Sequence, residues 1–243
     1  MVAVSPSSVM SGSSVSSPPK DRVRPLRRLA SAAILAAVAG ACSSGPAPTT
    51  YDLSAPTSRI RGPSDVQVLV NEPAAIQSLS TQQIIVKDAS GAISFLGGGQ
   101  WADNLPRLIQ TRLINTFENA SQIRGVSRPS SGAVADVQLV SELRSFEIAT
   151  PGNEAVVEIS VKIVNDANGR IVNGRIFRAR APAAAVDAPN AARALDEALS
   201  TAMLDIVRWV SGTRLPRRDE PGETASTVPP KEEPREQAGT PPA

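Results

Sequence analysis

Between residues 51 and 212 the apolar positions recur with a spacing that switches from two to three-and-four and back, and each switch marks an element. Tyr51-Asp52-Leu53 opens an edge strand. Val66-Gln67-Val68-Leu69-Val70 alternates and then becomes wholly apolar, as a strand covered on both faces does, and Asn71-Glu72-Pro73 stops it. Residues 84–87 and 93–96 flank the turn-forming cluster Asp88-Ala89-Ser90-Gly91 and predict a hairpin, after which Gly97-Gly98-Gly99 releases the chain. With Asp103 as its expected N-cap, a helix carries Leu105, Leu108, Ile109, Leu113, Thr116 and Phe117 on one stripe to about Asn119, leaving Arg107, Gln110, Arg112 and Glu118 on the wet side.

A loop through Gly125, Pro129 and Gly132 leads to residues 136–143, where Val137, Leu139, Ser141 and Leu143 face one way in a half-buried strand. Residues 155–164 alternate again, and Asp166-Ala167-Asn168-Gly169 joins them to residues 171–179 in the clearest hairpin of the sequence. Residues 191–210 set Ala194, Leu195, Ala198, Leu199, Ala202, Met203, Ile206 and Val210 on one helical face, with Gly212 as the expected C′ residue. The order predicts an α/β fold of α+β-like arrangement: a single mixed or antiparallel sheet with two main amphipathic helices packed on it. The apolar surface suffices for one core.

Both ends differ from this middle. Residues 1–19 are mostly Ser, Val and Pro, with Met10 as a second candidate start, and run into Lys20, Arg22, Arg24, Arg27 and Arg28. Residues 29–41 carry no charge but number only thirteen, where a bilayer span needs about twenty. Ala39-Gly40-Ala41-Cys42 closes that run with small residues and the only cysteine of the chain. This is the layout of an export signal that is removed, with cleavage between Ala41 and Cys42. The expected organisation is a signal peptide over residues 1–41, a tether over 42–50 whose Cys42 is either modified or a buried free thiol, a folded domain over 51–212 and a disordered tail over 213–243, the last because its Pro, Glu, Arg, Thr and Ser offer little to bury.

Charge and inventory narrow the chemistry. The basic cluster before the apolar run holds five bases and one acid, whereas residues 51–212 hold fifteen bases and sixteen acids, so no polyanion-binding surface and no nucleic-acid partner are indicated. With no histidine and one cysteine, a Ser-His-Asp triad, a Cys-His pair and a His- or Cys-based zinc site are excluded. Gly97-Gly98-Gly99-Gln100 lacks the Gly-Lys-Ser/Thr ending of a phosphate loop. The expectation is no enzyme activity, no catalytic residue, no metal and no cofactor. Trp101 reads as either a partner contact or a staple on the first helical turn, and Trp209 poses the same choice. Arg170, Arg178 and Arg180 share a parity on one strand with Arg175 nearby, and could meet a partner or form a solvated face; Glu142, Glu147, Glu154 and Glu158 on neighbouring strands are their candidate mates.

Ala39-Gly40-Ala41-Cys42 resembles a lipobox, with Ala39 where Leu is usual. Together with Tyr51-Asp52-Leu53-Ser54, Trp101-Ala102-Asp103-Asn104-Leu105-Pro106-Arg107-Leu108-Ile109, the Phe146 strand, the Asn168-Gly169 hairpin and a last helix ending in Trp209-Val210, the pattern is similar to the ABC-type transport auxiliary lipoprotein family, the PqiC-like proteins. The resemblance covers about residues 51–212. It implies an N-acyl and S-diacylglyceryl lipid on Cys42 and, with Ser43 following, a place in the outer membrane facing the periplasm. It also implies work beside an MCE-domain protein, an ABC permease and its ATPase in lipid transport. A lipoprotein activator of a peptidoglycan synthase is the rival expectation, weakened by a tether of about eight residues between Cys42 and Tyr51.

Overall fold

The computed structural model describes residues 47–218 except 63–64 and 124. Along the chain run β1 (Thr49–Tyr51), β2 (Gln67–Val70), β3 (Ala74–Ala75), β4 (Gln83–Lys87), β5 (Ile93–Trp101), α1 (Leu105–Ala120), β6 (Gly125–Ser127), a 3-10 turn (Pro129–Ser131), β7 (Val137–Ala149), β8 (Glu154–Asn165), β9 (Ile171–Pro182) and α2 (Ala188–Gly212). Among the described residues the strands make one mixed sheet.

The longest strand organises it. One edge of β7 pairs antiparallel with β8 along its whole length, and β8 pairs antiparallel with β9. The other edge of β7 is shared in sequence by three parallel partners: β2 at its start, β3 at its middle and β4 at its end. Beyond β4 lie β5, antiparallel, and then β1, parallel. Alternate residues of β7 and β8, among them Val137, Leu139, Leu143, Val157, Ile159, Val161 and Ile163, are buried against both helices in one cluster. The helices touch each other and share that cluster, so they cover the same face. The opposite face carries Val140, Lys162, Ile176, Arg178 and Arg180 and is open. Each large aliphatic side chain so buried contributes about 1.5–3 kcal/mol, which makes this single layer of contacts the main stabilising term.

The predicted hairpins and both helical stripes form as the periodicity requires, and the structure departs from expectation where distant partners intervene. The glycine run does not release the chain; it lies inside β5. From Gln83 to Ile85 the partner strand advances two residues while β5 advances five, from Phe95 to Gln100, and Gly97-Gly98-Gly99 takes up the excess, with Gly98 at φ 81°. Such a bulge needs a left-handed residue without a Cβ. Gly99 is further constrained, because a Cβ there would sit 2.6 Å from the Ala188 Cβ at the start of α2 and 2.7 Å from Tyr51 Cε2. Gly99→Ala is therefore expected to cost about 1–3 kcal/mol in urea unfolding, whereas Gly97→Ala, where an added Cβ would have nothing within 4 Å, should cost less than half of that.

Asp103 is not the cap of α1. Asn104 occupies the N-cap without a side-chain cap bond, and its Nδ2 donates to the Ser80 carbonyl at 3.1 Å while the Leu105 amide donates to the Thr81 carbonyl at 3.1 Å. Tertiary acceptors thus take over the role of a capping side chain. Gln110, expected on the wet side, is buried because its Nε2 donates to the Val70 carbonyl at 2.9 Å, and Arg112 is half-buried against Asp52. In α2, Asp187 caps conventionally by accepting from the Asn190 amide at 2.9 Å. That helix runs through Gly212 and ends at an extended Thr213, so Gly212 is its last residue and not a left-handed C′ residue.

The folded part is wider than residues 51–212 at both ends. β1 begins at Thr49, inside the expected tether, because Thr49 and Thr50 pair with Gly99 and Gln100. After α2 the chain turns back across the sheet: Leu215 is buried, Arg217 pairs with Asp65 at 2.7 Å, and the Arg218 amide donates to Asp136 Oδ1 at 2.8 Å. The expected disordered tail therefore does not start at 213; residues 219–243, like the signal peptide, Ala41, Cys42 and the tether to residue 46, lie outside the described residues.

Candidate interaction surface

The face of the sheet that the helices leave open gathers the charged residues of its three longest strands except Arg175, which stands opposite the buried Val161. Because residues of one parity share a face, Glu158 on β8 stands beside Arg178 on β9, and Glu154 beside Arg180. Arg178 Nε donates to Glu158 Oε2 at 2.6 Å, and Arg180 Nη1 to Glu154 Oε2 at 3.0 Å. Arg144 of β7 joins them, 3.7 Å from Glu158 and 3.4 Å from Glu142. It reaches both because the ladder of β7 and β8 slips by one residue between Leu143 and Ser145. Glu147 is buried in the same strand, accepts from the Phe146 amide at 2.7 Å and lies 3.8 Å from Lys87.

Beside this ladder is a groove of about 360 Å³ lined by Ala74, Ala75, Ile76, Val140, Glu142 and Lys162. It exists because β3 offers only small side chains next to β7. Ile76 is 63% exposed and Val140 41%, so the floor is apolar while Lys162 and Glu142 make a charged rim. A second depression, of about 420 Å³, lies between residues 58–61 and the end of α1, with Arg59 and Arg61 on its wall.

Of the residues singled out from sequence, Arg178 and Arg180 are brought together here, each already paired with a glutamate. Arg170 is not with them. It sits in the turn before β9, where its carbonyl accepts from the Asn165 amide, and the ladder slips between Ile163 and Val164, so the parity that aligned it with Arg178 is broken. Trp101 is not a surface contact: it is fully buried, 5.6 Å from Phe146 in an edge-to-face arrangement, because the last residue of β5 points into the core. Trp209 is half-buried and packs edge-on against Phe177 at 5.5 Å, and the Arg175 guanidinium lies 5.3 Å from the centroid of the same Phe177 ring. The groove at β3 carries no signature in the sequence, since two alanines after a proline have no periodic signal.

Electrostatics favour ionised carboxylates both on this surface, at Glu158, and on the helix side, at Asp52 and Asp187. The Arg178 hydrogen bond holds the Glu158 carboxyl below its ordinary value of 4.5, helped by the charges of Arg178 and Arg144 against an upward push from burial. At Asp52 burial pushes upward, yet the Arg112 and Leu53 bonds prevail and the carboxyl stays below 3.8. The Asn190 amide lowers Asp187 in the same sense. A carboxyl whose folded value is depressed contributes stability that is complete above its ordinary value and is lost as pH falls through the folded one. With no histidine to titrate, the melting temperature is expected to be flat from about pH 8 to pH 6 and to fall below about pH 4.5; a marked drop between pH 8 and 6 in thermal scans would contradict this assignment.

Among the described residues there is no group of three or more His, Cys, Asp or Glu side chains placed to hold a metal, and no helix is long and apolar enough to cross a membrane. A family model described as the ABC-type transport auxiliary lipoprotein component matches residues 51–207. A protein of Bradyrhizobium diazoefficiens, described only as uncharacterized, is 34% identical over 168 residues, 66% of this chain, and the match spans only 44% of that protein's length. Among solved structures, a Xanthomonas campestris protein of family DUF330 superposes with a TM-score of 0.63 at 24% identity, covering 67% of this chain and 94% of that one. A second crystal structure, of an uncharacterized protein, gives 0.54 at 15% identity, covering 68% and 99%. At these identities the two structures speak for the fold alone.

Proposed function

From the premise that the chain belongs to the ABC-type transport auxiliary lipoprotein component family, we propose that it is the lipid-anchored accessory subunit of an MCE-type ABC lipid transport system, held in the outer membrane and facing the periplasm. In this reading Cys42 is acylated after cleavage behind Ala41, and the chain tethers or aligns an MCE-domain protein, its permease and its ATPase without turning over a substrate. The observation that carries the reading is the family match beginning at Tyr51, nine positions beyond a lone cysteine that closes a short apolar run.

The sheet supports a docking role. β1, next to the anchor in sequence, is one lateral edge, and β9 lies five strand steps away, roughly 24 Å at ~4.8 Å per step. The β9 edge is thus the edge of the sheet farthest in strand order from β1. The sheet's paired arginines and glutamates favour an orienting contact over a strong one, because exposed ion pairs contribute only about 0–1 kcal/mol each.

The reading is tested by placing a photocrosslinking residue at Lys162 or Ile176 in cells and identifying what is captured. An MCE-domain subunit or the permease supports it. Capture of a penicillin-binding protein would instead establish the synthase activator, and the transport role would be withdrawn.

A further inference from the structure

The two ends of the sheet differ in chemistry. At one of them the ladders close on Lys87 with Ile93, Lys87 with Ala149, Ala149 with Glu154 and Glu154 with Pro182. The turns over residues 88–92 and 150–153 and the link over 183–187 therefore project from that end together, tied by the Thr150 amide to the Lys87 carbonyl at 2.9 Å and the Ala183 amide to the Asn153 carbonyl at 2.7 Å. These connections hold no base and two acids, Asp88 and Asp187. Both acids are engaged locally: Asp88 accepts from the Ser90 and Ala92 amides at 2.8 and 2.9 Å, and Asp187 caps α2. The neighbouring bases Lys87 and Arg180 are paired with Glu147 and Glu154. Directly behind the first turn, Ile93 and Phe95 share one face of β5 and are 44% and 51% exposed.

The opposite end is basic. There β7 and β9 begin and α2 runs out into residues 213–218. Arg170, Arg214, Arg217 and Arg218 lie at it, Arg217 bound to Asp65 and Arg218 to Asp136 and Asp166.

The chain enters the domain from the first end, because β1 runs parallel to β5, and β5 starts there. Thr49 is level with Gly99, and the stretch of β5 from Ile93 to Gln100 spans the four steps of β4 from Lys87 to Gln83, ~13 Å. Seven positions separate Cys42 from Thr49, about 24 Å when extended. That length brings Cys42 level with Ile93 and beyond. The twelve steps of β7 from Val137 to Ala149 put the basic end ~27 Å from Thr49 in the other direction, which exceeds the same length.

We propose that the end carrying Ile93 and Phe95 rests on the lipid surface that holds the acyl chains of Cys42, with those two side chains seated among the headgroups. The inference rests on the acylated Cys42 of the reading above. Apolar side chains beside charges that are already hydrogen-bonded or paired leave water for the interface without stranding an ion, whereas the arginines of the other end stay hydrated. The acyl chains hold the protein and this contact orients it, so the sheet stands away from the bilayer and its open face looks sideways.

With the Cys42 thiol acylated, Ala89→Cys and Ala167→Cys each place one free thiol in a turn, at the first and the basic end, for an environment-sensitive fluorophore. The acylated full chain is bound to vesicles of phosphatidylethanolamine and phosphatidylglycerol that contain lipid with a nitroxide near its headgroup. Emission at position 89 should fall at least about twofold, as for a group seated about 5–10 Å into the headgroup boundary, and emission at position 167 should not change. Ile93→Asn combined with Phe95→Asn should abolish the quenching at 89 while the protein still floats with the vesicles. Flotation without quenching at 89, equal quenching at 89 and 167, or quenching that survives the two asparagines overturns this orientation and leaves the anchor standing. A chain that does not float has no acyl anchor, which sinks the accessory reading and this inference with it.

Discussion

Replacing Cys42 with serine moves the protein out of the membrane fraction and abolishes palmitate labelling, while the melting temperature of the domain stays unchanged. The thiol is the proposed acylation site, and a diacylglyceryl plus an N-acyl group supplies three chains. Each buried methylene is worth about 0.8 kcal/mol, one chain binds only marginally, and two or more hold a protein on a bilayer. Without them nothing else among the described residues is long and apolar enough to cross a membrane by a helix. The domain is indifferent to the change because its first ordered pairing begins at Thr49, seven positions on. Fractionation followed by a carbonate wash reads the outcome. A serine variant that remains in the washed pellet would show that some other part of the chain holds the membrane, and the accessory reading would have to find another anchor.

Trp101→Ala is expected to cost about 3–5 kcal/mol, a large share of the ~5–15 kcal/mol that a domain of this size possesses. The ring is completely buried, meets Phe146 edge to face and lies where β5 hands the chain to α1. Trp101→Phe should cost far less than the alanine. It keeps an aromatic edge for Phe146, and it removes an indole Nε1 that has no hydrogen-bond partner among the described residues; a buried donor left unmatched costs about 1–3 kcal/mol. Urea unfolding of the two variants checks the pair. If alanine cost below about 1 kcal/mol, Trp101 would be a surface contact after all, and its effect would appear in partner capture instead.

The difference between Arg178 and Arg170 shows where reading along the chain stops working. Parity along a strand aligned both with Arg180, and it holds for Arg178 because no slip in the ladder separates them. For Arg170 a single extra residue on β9, Val172, set against the step from Ile163 to Val164 on β8, resets the parity, and nothing in the residues of β9 alone announces it. Gln110 is a similar case. Helical spacing puts a glutamine away from the apolar stripe, but the Val70 carbonyl at the end of a buried strand needs a donor, and the helix turns that glutamine to it. The groove at Ala74 and Ala75 depends on β3 meeting the middle of β7, a pairing sixty-eight positions apart in the chain.

What the chain determined by itself was the order of the main strands and helices, without the short β3 and without β6, which lies in the expected loop through Gly125, together with the turns at residues 88–91 and 166–169, the two helical stripes, and the coincidence of a short apolar run with a lone cysteine. All of these rest on local spacing and on inventory. The tertiary structure alone decided that Gly97-Gly98-Gly99 lies within a strand, that Trp101 faces inward, that Arg170 stands apart from Arg178 and Arg180, and that the chain after α2 folds back to Arg218. Each of those depends on a hydrogen bond, a close approach or a charge supplied by residues far away in sequence, which no local period encodes.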